Sequence, residues 1–505
     1  MALNPTHSST LSGHTQIAAN KWPVKFRLET GFSLNNWSYS KAKDNEKHSP
    51  WAASNFVEGP PADSLRSNLK NNVNYLTSWA NAGFTNEFMG IANMMYLAML
   101  TERVPIIPPF APRDHISREG GFVAFGDIFD LDHYREAVRQ GLVEWRDIKK
   151  PSEPYLPALN AITNQHDEPA VRSPARSQRT SENPPNQADR IGCWSIKSSQ
   201  STEPAFATSL LRQLNLDVSY TKVPLAIRTN RDDPGDNHVD FWKMAGLLFP
   251  PPLNSAASTE WIDYFSYHWQ KDMRQRAVTE ELGWTGIYPS RKGHRMVPDD
   301  HLACLDMAYY MTTGVREFEW TDAWSPAWRF VGRHLRFREG VLEVANGYLR
   351  RAFGIKNEIS LEIPPFISVH MRRGDFAQVC KDTGKKECYP KIANYVRMVE
   401  EVKEELRAQK GLVIERILVA SNEAAENTEF WDQIKKLGWT WVNHGEGGEQ
   451  TLYKYGEWYA PILDVAIQSM SIGFVGSRGS TFSLVSARRV EEWNDGIFRM
   501  ASDTT

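Results

Sequence analysis

From about residue 360 to the end of the chain, apolar runs alternate with amphipathic stretches in a regular rhythm. The rhythm predicts strand "FISVH", a helix over 389–410, strand "RILVAS" and helix "ENTEFWDQIKKLG". Strand "WTWVN", a helix around 459–470, strand "IGFVG" and a last helix "TFSLVSARRVEEW" complete it. Repeated βα units of this size imply a parallel sheet covered by helices on both faces.

The first part of the chain is less regular. Residues 1–60 are polar and weakly periodic and read as an N-terminal extension. Between Tyr75 and Ala111 a helix-like stretch, "EFMGIANMMYLAMLTE", runs into the β-rich "RVPIIPPF", and "GGFVAFGDIFDLDHYREAV" reads as strand, turn and helix, capped by Asp130 or Asp132. Residues 160–205 are rich in Pro, Ser, Asn and charge, too polar to bury much surface, and are expected to form a mobile insertion. Helical spacing returns over 206–350, in "WIDYFSYHWQKDMRQRAV" and in "HLRFREGVLEVANGYLRRAFG", the second closing on Gly354.

At 505 residues the chain exceeds a single core. The pattern divides it into an extension (1–60), a first α/β domain (61–350) and a second (351–505). A net charge of −3 provides no global field for nucleic acid, so none is expected as partner. The most apolar window, Phe88 to Leu100, is broken by Asn93 and is too short for a membrane span. The first residues lack a basic region followed by an apolar one, so no signal segment is expected there. Cys193, Cys304, Cys380 and Cys388 form no zinc spacing; Cys380 and Cys388 could close a short loop or stay free.

Candidate chemistry gathers at two predicted strand ends, where open parallel sheets bind ligands. In "FISVHMRRGDF", strand alternation puts His370 and Arg372 on one face, and Gly374 permits a sharp exit. A guanidinium offers paired donors to phosphate oxygens, so Arg372 suits a diphosphate. In "IGFVGSRGSTFSLV", Gly476, Ser477, Gly479, Ser480 and Thr481 precede or open a helix, whose N-terminus favours anions. The P-loop lysine is absent. Asp130-Leu131-Asp132 spells DxD, but its place before "HYREAV" fits helix capping better than a metal site.

The order "GFTNEFMGIANMMYLAMLTERVPIIPPF", "FGDIFDLDHYRE", "VHMRRGDF", "DVAIQSMSIGFVGSRGSTFS" resembles the GDP-fucose protein O-fucosyltransferase family over residues 75–135 and 340–490. The resemblance implies a GT-B fold, two Rossmann-like domains facing a cleft, and inverting transfer of fucose from GDP-fucose to a protein Ser/Thr hydroxyl. It implies no metal and no cofactor. A glycan acceptor is the alternative, and a sugar-nucleotide-binding relative without activity is a second. Arg372 matches the arginine on the β-phosphate, His370 its neighbour in H-x-R, and Asp375 follows in the same loop. Asp464 matches the acidic residue opening the last motif, and Ser480, Thr481 and Phe482 the segment around phosphate and guanine. Glu87 is the expected base and Asn86 the acceptor or sugar ligand, the other reading of Glu87 being a cap for the following helix. Relatives work in the lumen of the endoplasmic reticulum or Golgi; this chain is expected to act as a monomer.

Overall fold

Four buried residues, Tyr75–Ser78 (β1), begin the first sheet and lead into helix α1 (Phe84–Leu100), β2 (Val104–Ile107), helix α2 (Leu131–Val138) and β3 (Val143–Glu144). β4 (Asp189–Ser195), β5 (Leu216–Lys222), β6 (Val239–Asp240), β7 (Ile287–Tyr288), β8 (Leu302–Leu305) and β9 (Met311–Thr312) follow, then helix α3 (Glu339–Ala352). The second sheet is built from β10 (Phe366–Met371), α4 (Ile392–Lys410), β11 (Arg416–Ser421), α5 (Thr428–Lys436) and β12 (Thr440–Trp441). It is completed by α6 (Tyr459–Gln468), β13 (Gly473–Ser477), α7 (Thr481–Asn494) and β14 (Ile497–Ala501). This computed structural model describes residues 49–79, 82–113, 115–159, 188–230, 232–233, 235–249, 286–314, 319–322, 324–356, 363–374 and 389–502.

Both sheets have an α/β winding. The second is wholly parallel in the order β12-β11-β10-β13-β14, so the chain winds outward from β10 in one direction and then returns to β13 to wind in the other. The first runs β3-β2-β1-β8-β4-β5-β7, parallel except for β7 against β5. This is the GT-B arrangement expected from the sequence, two Rossmann-like sheets with no shared strand. Both lie within one compact unit, Asp44–Thr505, so we propose the division near residue 350 as a line between sheets. Among the described residues no helix is long and apolar enough to cross a membrane.

The boundaries expected after residue 360 agree closely with those found, and β14 is an addition. Before it, several expectations need correction. Part of the 160–205 stretch, Asp189–Ser195, is a central strand, and the region expected to be helical from 206 contains β5 and β8. These parallel strands are buried, so their short apolar runs lack the alternation that marks an exposed strand. "GGFVAFGDIFDLDHYREAV" contains no strand of its own, only two isolated bridges, from Val123 to Phe110 and from Phe129 to Phe337, and two helices, Phe125–Ile128 and α2. The segment 261–278 and Cys380 and Cys388 lie outside the described residues.

The remaining two cysteines meet. Cys193 on β4 and Cys304 on β8, both buried, form a disulfide with Cα atoms 4.8 Å apart. This pair joins neighbouring central strands separated by 111 residues of sequence.

The two halves meet where α3 packs on α6 and where α1 packs on α7. α1 is buried on nearly all sides, as expected of a helix between layers. Arg489 of α7 is buried among Phe88, Phe129, Phe337 and Trp493, with ring centroids 4.5–5.5 Å from its guanidinium. Burial, and then the nearby Arg336, lowers its pKa to about 9. Glu492, one turn further along, bonds Arg329 and Arg333 at 2.8 and 3.0 Å.

Candidate active site

The order of the second sheet locates the site before any side chain is considered. β10 and β13 are adjacent and the winding reverses between them, so the loops leaving their carboxyl ends diverge and open a crevice. The loop after β10 carries Arg372 and that after β13 leads to the N-terminus of α7.

A compact polar network joins the two loops. The Ser477 Oγ, at the end of β13, donates to the His370 carbonyl at 3.1 Å and accepts the Arg372 backbone N–H at 2.8 Å. It also lies 2.7 Å from the Tyr395 hydroxyl. Ser483 Oγ, from the first turn of α7, accepts the Ser477 N–H at 2.9 Å and sits 2.7 Å from His370 Nδ1. Gly476 makes this approach geometrically accessible, since a Cβ there would lie 2.6 Å from Ser483 Cβ. The root of Arg372 is thus fixed by both strands, while its side chain reaches the crevice. Ser477 was legible only as one of several small residues near an anion; Tyr395, Ser483 and their role in holding Arg372 were not legible.

His370 is buried, and its ring stacks on Phe482 with centroids 4.5 Å apart. Burial, followed by the Arg372 charge, pushes its pKa down to about 3, so it is a neutral hydrogen-bonding group throughout the working range. The unfolded chain binds this proton near pH 6.5 and the native chain does not until about pH 3, so the unfolded state carries more protons between these values. Stability therefore falls as pH drops through this window, at most by ~1.4 kcal/mol per pH unit from this residue. His370→Gln is expected to flatten that slope in urea unfolding between pH 6.5 and 4; equal slopes in both proteins would show that His370 is not buried as described.

Ser480 caps α7, its Oγ accepting the Ser483 N–H at 3.3 Å, and Gly479 before it has φ +83°. Thr481 faces the other half of the molecule: its hydroxyl donates to Asn86 Oδ1 and lies 3.0 Å from that of Thr85. The N-termini of α1 and α7 therefore meet. Each follows a strand at which its own sheet reverses, β1 and β13, so two positive helix ends converge on the crevice.

Arg372 and Arg373 diverge. Arg372 Nη2 donates to His115 Nε2 at 3.1 Å, crossing from the second sheet to the loop after β2. Arg373 turns the other way, pairing with Glu423 and stacking on Tyr389 and Phe430 at 4.5 and 4.9 Å. Gly374 has φ +41°, and a Cβ there would meet Asn422 Nδ2 at 2.8 Å. Asp375 lies outside the described residues.

Two sequence expectations change on contact with the geometry. Glu87, expected as base, is 2 % exposed, and both carboxylate oxygens accept backbone N–H groups, those of Ala82 and Ala111, at 3.1 and 3.0 Å. It ties the segment just before α1 to the loop that carries His115, bonding amides outside the helix rather than the helix's own first amides, and it lines a cavity of about 10 Å³. Asp464 on α6 accepts from His444 Nε2 at 3.0 Å, and His444 Nδ1 reaches the Thr451 hydroxyl at 2.7 Å. Burial pulls the His444 pKa down, but Asp464 outweighs this and the net shift is upward. Asp464 thus has a partner of its own, apart from the Ser477 network. The DxD carboxylates are also engaged: Asp130 caps α2 through the His133 N–H at 2.9 Å, and Asp132 pairs with Arg135.

A solved structure of POFUT1 in complex with GDP-fucose is 13% identical, with a TM-score of 0.44 over 86% of this chain and 99% of that one. The NodZ fucosyltransferase from Bradyrhizobium is 11% identical, with a TM-score of 0.34 over 83% and 93% of the two chains. No curated protein sequence matches the chain. The family model for GDP-fucose protein O-fucosyltransferases matches residues 75–492, a span that includes the first sheet, every strand of the second except β14, the α1 N-terminus, the Arg372 loop and most of α7. The chain belongs to the GDP-fucose protein O-fucosyltransferase family, and is on that ground a fucosyltransferase that uses GDP-fucose.

Proposed function

We propose that this protein transfers fucose from GDP-fucose to a Ser or Thr hydroxyl of a protein acceptor, with inversion and without a metal ion. The observation that carries this reading is the placing of Arg372 and the α7 N-terminus on adjacent strand ends at the reversal of the second sheet. In the transfer, an acceptor oxygen bonds to C1 of the sugar as the bond from C1 to the β-phosphate oxygen breaks. GDP leaves with the bonding electrons, and the acceptor's proton passes to water or to the released β-phosphate.

Charge builds on the leaving diphosphate, and the guanidinium of Arg372 with the amides of α7 would stabilise it. His370, neutral and stacked on Phe482, would donate a hydrogen bond without competing for the charge. Ser480 and Thr481 would border the phosphates, with Phe482 and Asp464 on the nucleoside side and Asp375 near the sugar. Asn86, held by Thr481 across the crevice, would orient sugar or acceptor. Glu87 would act indirectly by fixing the loop on which the acceptor side is built.

The buried Cys193–Cys304 disulfide supports a setting in the secretory lumen, since such pairs persist in oxidising compartments. The proposal is tested by assaying transfer to protein acceptors with excess EDTA and determining the anomeric configuration of the product by NMR. Unchanged rates and a configuration opposite to that of the donor are expected. Activity abolished by EDTA and restored by Mn²⁺, or retention of configuration, would overturn the mechanism.

A further inference from the structure

The loop that brings His115 to Arg372 also forms one wall of a cleft of about 580 Å³. Its other walls come from the segment that opens the short helix Leu210–Gln213 and from the turn after β7. The cleft has an unusual charge for this protein. Among the described residues four arginines line it, Arg113, Arg118, Arg212 and Arg291, against one carboxylate, Glu153, in a chain whose net charge is −3.

Arg113 is engaged at the rim, donating to the Ala207 carbonyl at 3.0 Å. The guanidinium groups of Arg118, Arg212 and Arg291 make no hydrogen bond or ion pair with any described residue. The neighbouring Ser117 is held from outside the cleft by Glu457, which accepts both its N–H and its hydroxyl at 2.6 Å. Glu457 thereby anchors the arginine-bearing loop without neutralising those arginines. Like charges held around a concavity repel one another and focus a positive potential, and the planar fork of arginine matches carboxylates two donors at a time.

We infer that this cleft is the acceptor subsite and that it takes acidic polypeptide: a segment whose Asp or Glu side chains engage Arg118, Arg212 and Arg291 while its hydroxyl residue reaches past His115 toward Arg372. The inference rests on the reading of the chain as a protein fucosyltransferase and adds the chemical class of its acceptor.

The test is fluorescence anisotropy of a labelled oligoglutamate peptide titrated with full-length protein, with labelled oligolysine and a labelled heparin-derived oligosaccharide titrated in separate experiments. Binding of the oligoglutamate, weakened steeply by salt, and no binding of the oligolysine are expected. The charge-reversed variant R212E/R291E should bind it at least about tenfold more weakly, with GDP affinity by calorimetry and melting temperature unchanged. Equal binding by the variant, no preference for glutamate over a neutral peptide, or binding of the oligosaccharide alone would overturn the inference. Failure of the wild-type protein to bind GDP would instead overturn the donor reading, so the two failures are distinguishable.

Discussion

Arg372→Ala is expected to reduce fucose transfer by roughly a thousandfold, the scale on which a positioned cation or oxyanion donor contributes to transfer chemistry. The loss should have two components. Calorimetry should show GDP and GDP-fucose binding weakened, because the paired donors to the diphosphate are gone. Turnover at saturating donor should fall further, because charge on the leaving group is greatest in the transition state. Arg372→Lys should fall between the two proteins, keeping a charge but not the fork. The fold should be indifferent to all of this: the guanidinium is only partly buried, and Ser477 holds the Arg372 backbone N–H, which every variant retains. A variant melting like wild type and turning over at near-normal rate would remove Arg372 from the mechanism. The contact between Arg372 and His115 adds an expectation, since a bound diphosphate competes for the same donor. His115→Ala should therefore leave donor binding intact or slightly tighter.

Breaking the Cys193–Cys304 disulfide is expected to cost about 2–5 kcal/mol, the range for native bridges, with a 111-residue separation placing it toward the upper end of the chain-entropy model. The position adds to the effect. The bridge lies between β4 and β8 in the middle of the first sheet, where both cysteines are buried and no water can replace the lost packing. Urea midpoints of C193A/C304A and of wild type should differ accordingly, and reductant should shift the wild type but not the variant. Alkylation of the unfolded, unreduced protein followed by peptide mapping should leave Cys193 and Cys304 unlabelled. Labelling of either would show that the two are thiols, and would withdraw the support they give to a secretory setting.

How far the sequence specified this protein depends on the range over which its information acts. The second sheet was legible almost to the residue, because each βα unit there is a separate local decision: a short apolar strand, a turn, an amphipathic helix with its own cap. Arg416–Ser421 and Thr481–Asn494 are set by patterns within their own windows. Expecting a site around His370, Arg372, Ser480 and Thr481 needed only one further rule, that parallel sheets bind at their carboxyl ends, and the structure brings these residues to adjacent strand ends.

Tertiary structure decided what depended on distant partners. β4 was hidden in a polar stretch because a strand buried on both faces shows no alternation, and the pairing of Cys193 with Cys304 followed from β4 and β8 becoming neighbours across 111 residues. Glu87 looked like a base from its place beside Asn86, yet its oxygens were claimed by the amides of Ala82 and Ala111, the second from beyond a whole helix and strand. His115 carried no signal of its own in sequence, and only the apposition of the two sheets brought it to Arg372. The sequence by itself determined the local elements that carry His370, Arg372, Ser480 and Thr481. Only the folded chain decided which carboxylates were already bonded, which arginines gather around the cleft, and which loops faced one another across the crevice, because hydrogen bonds and desolvation act through space and the order of residues does not encode distance.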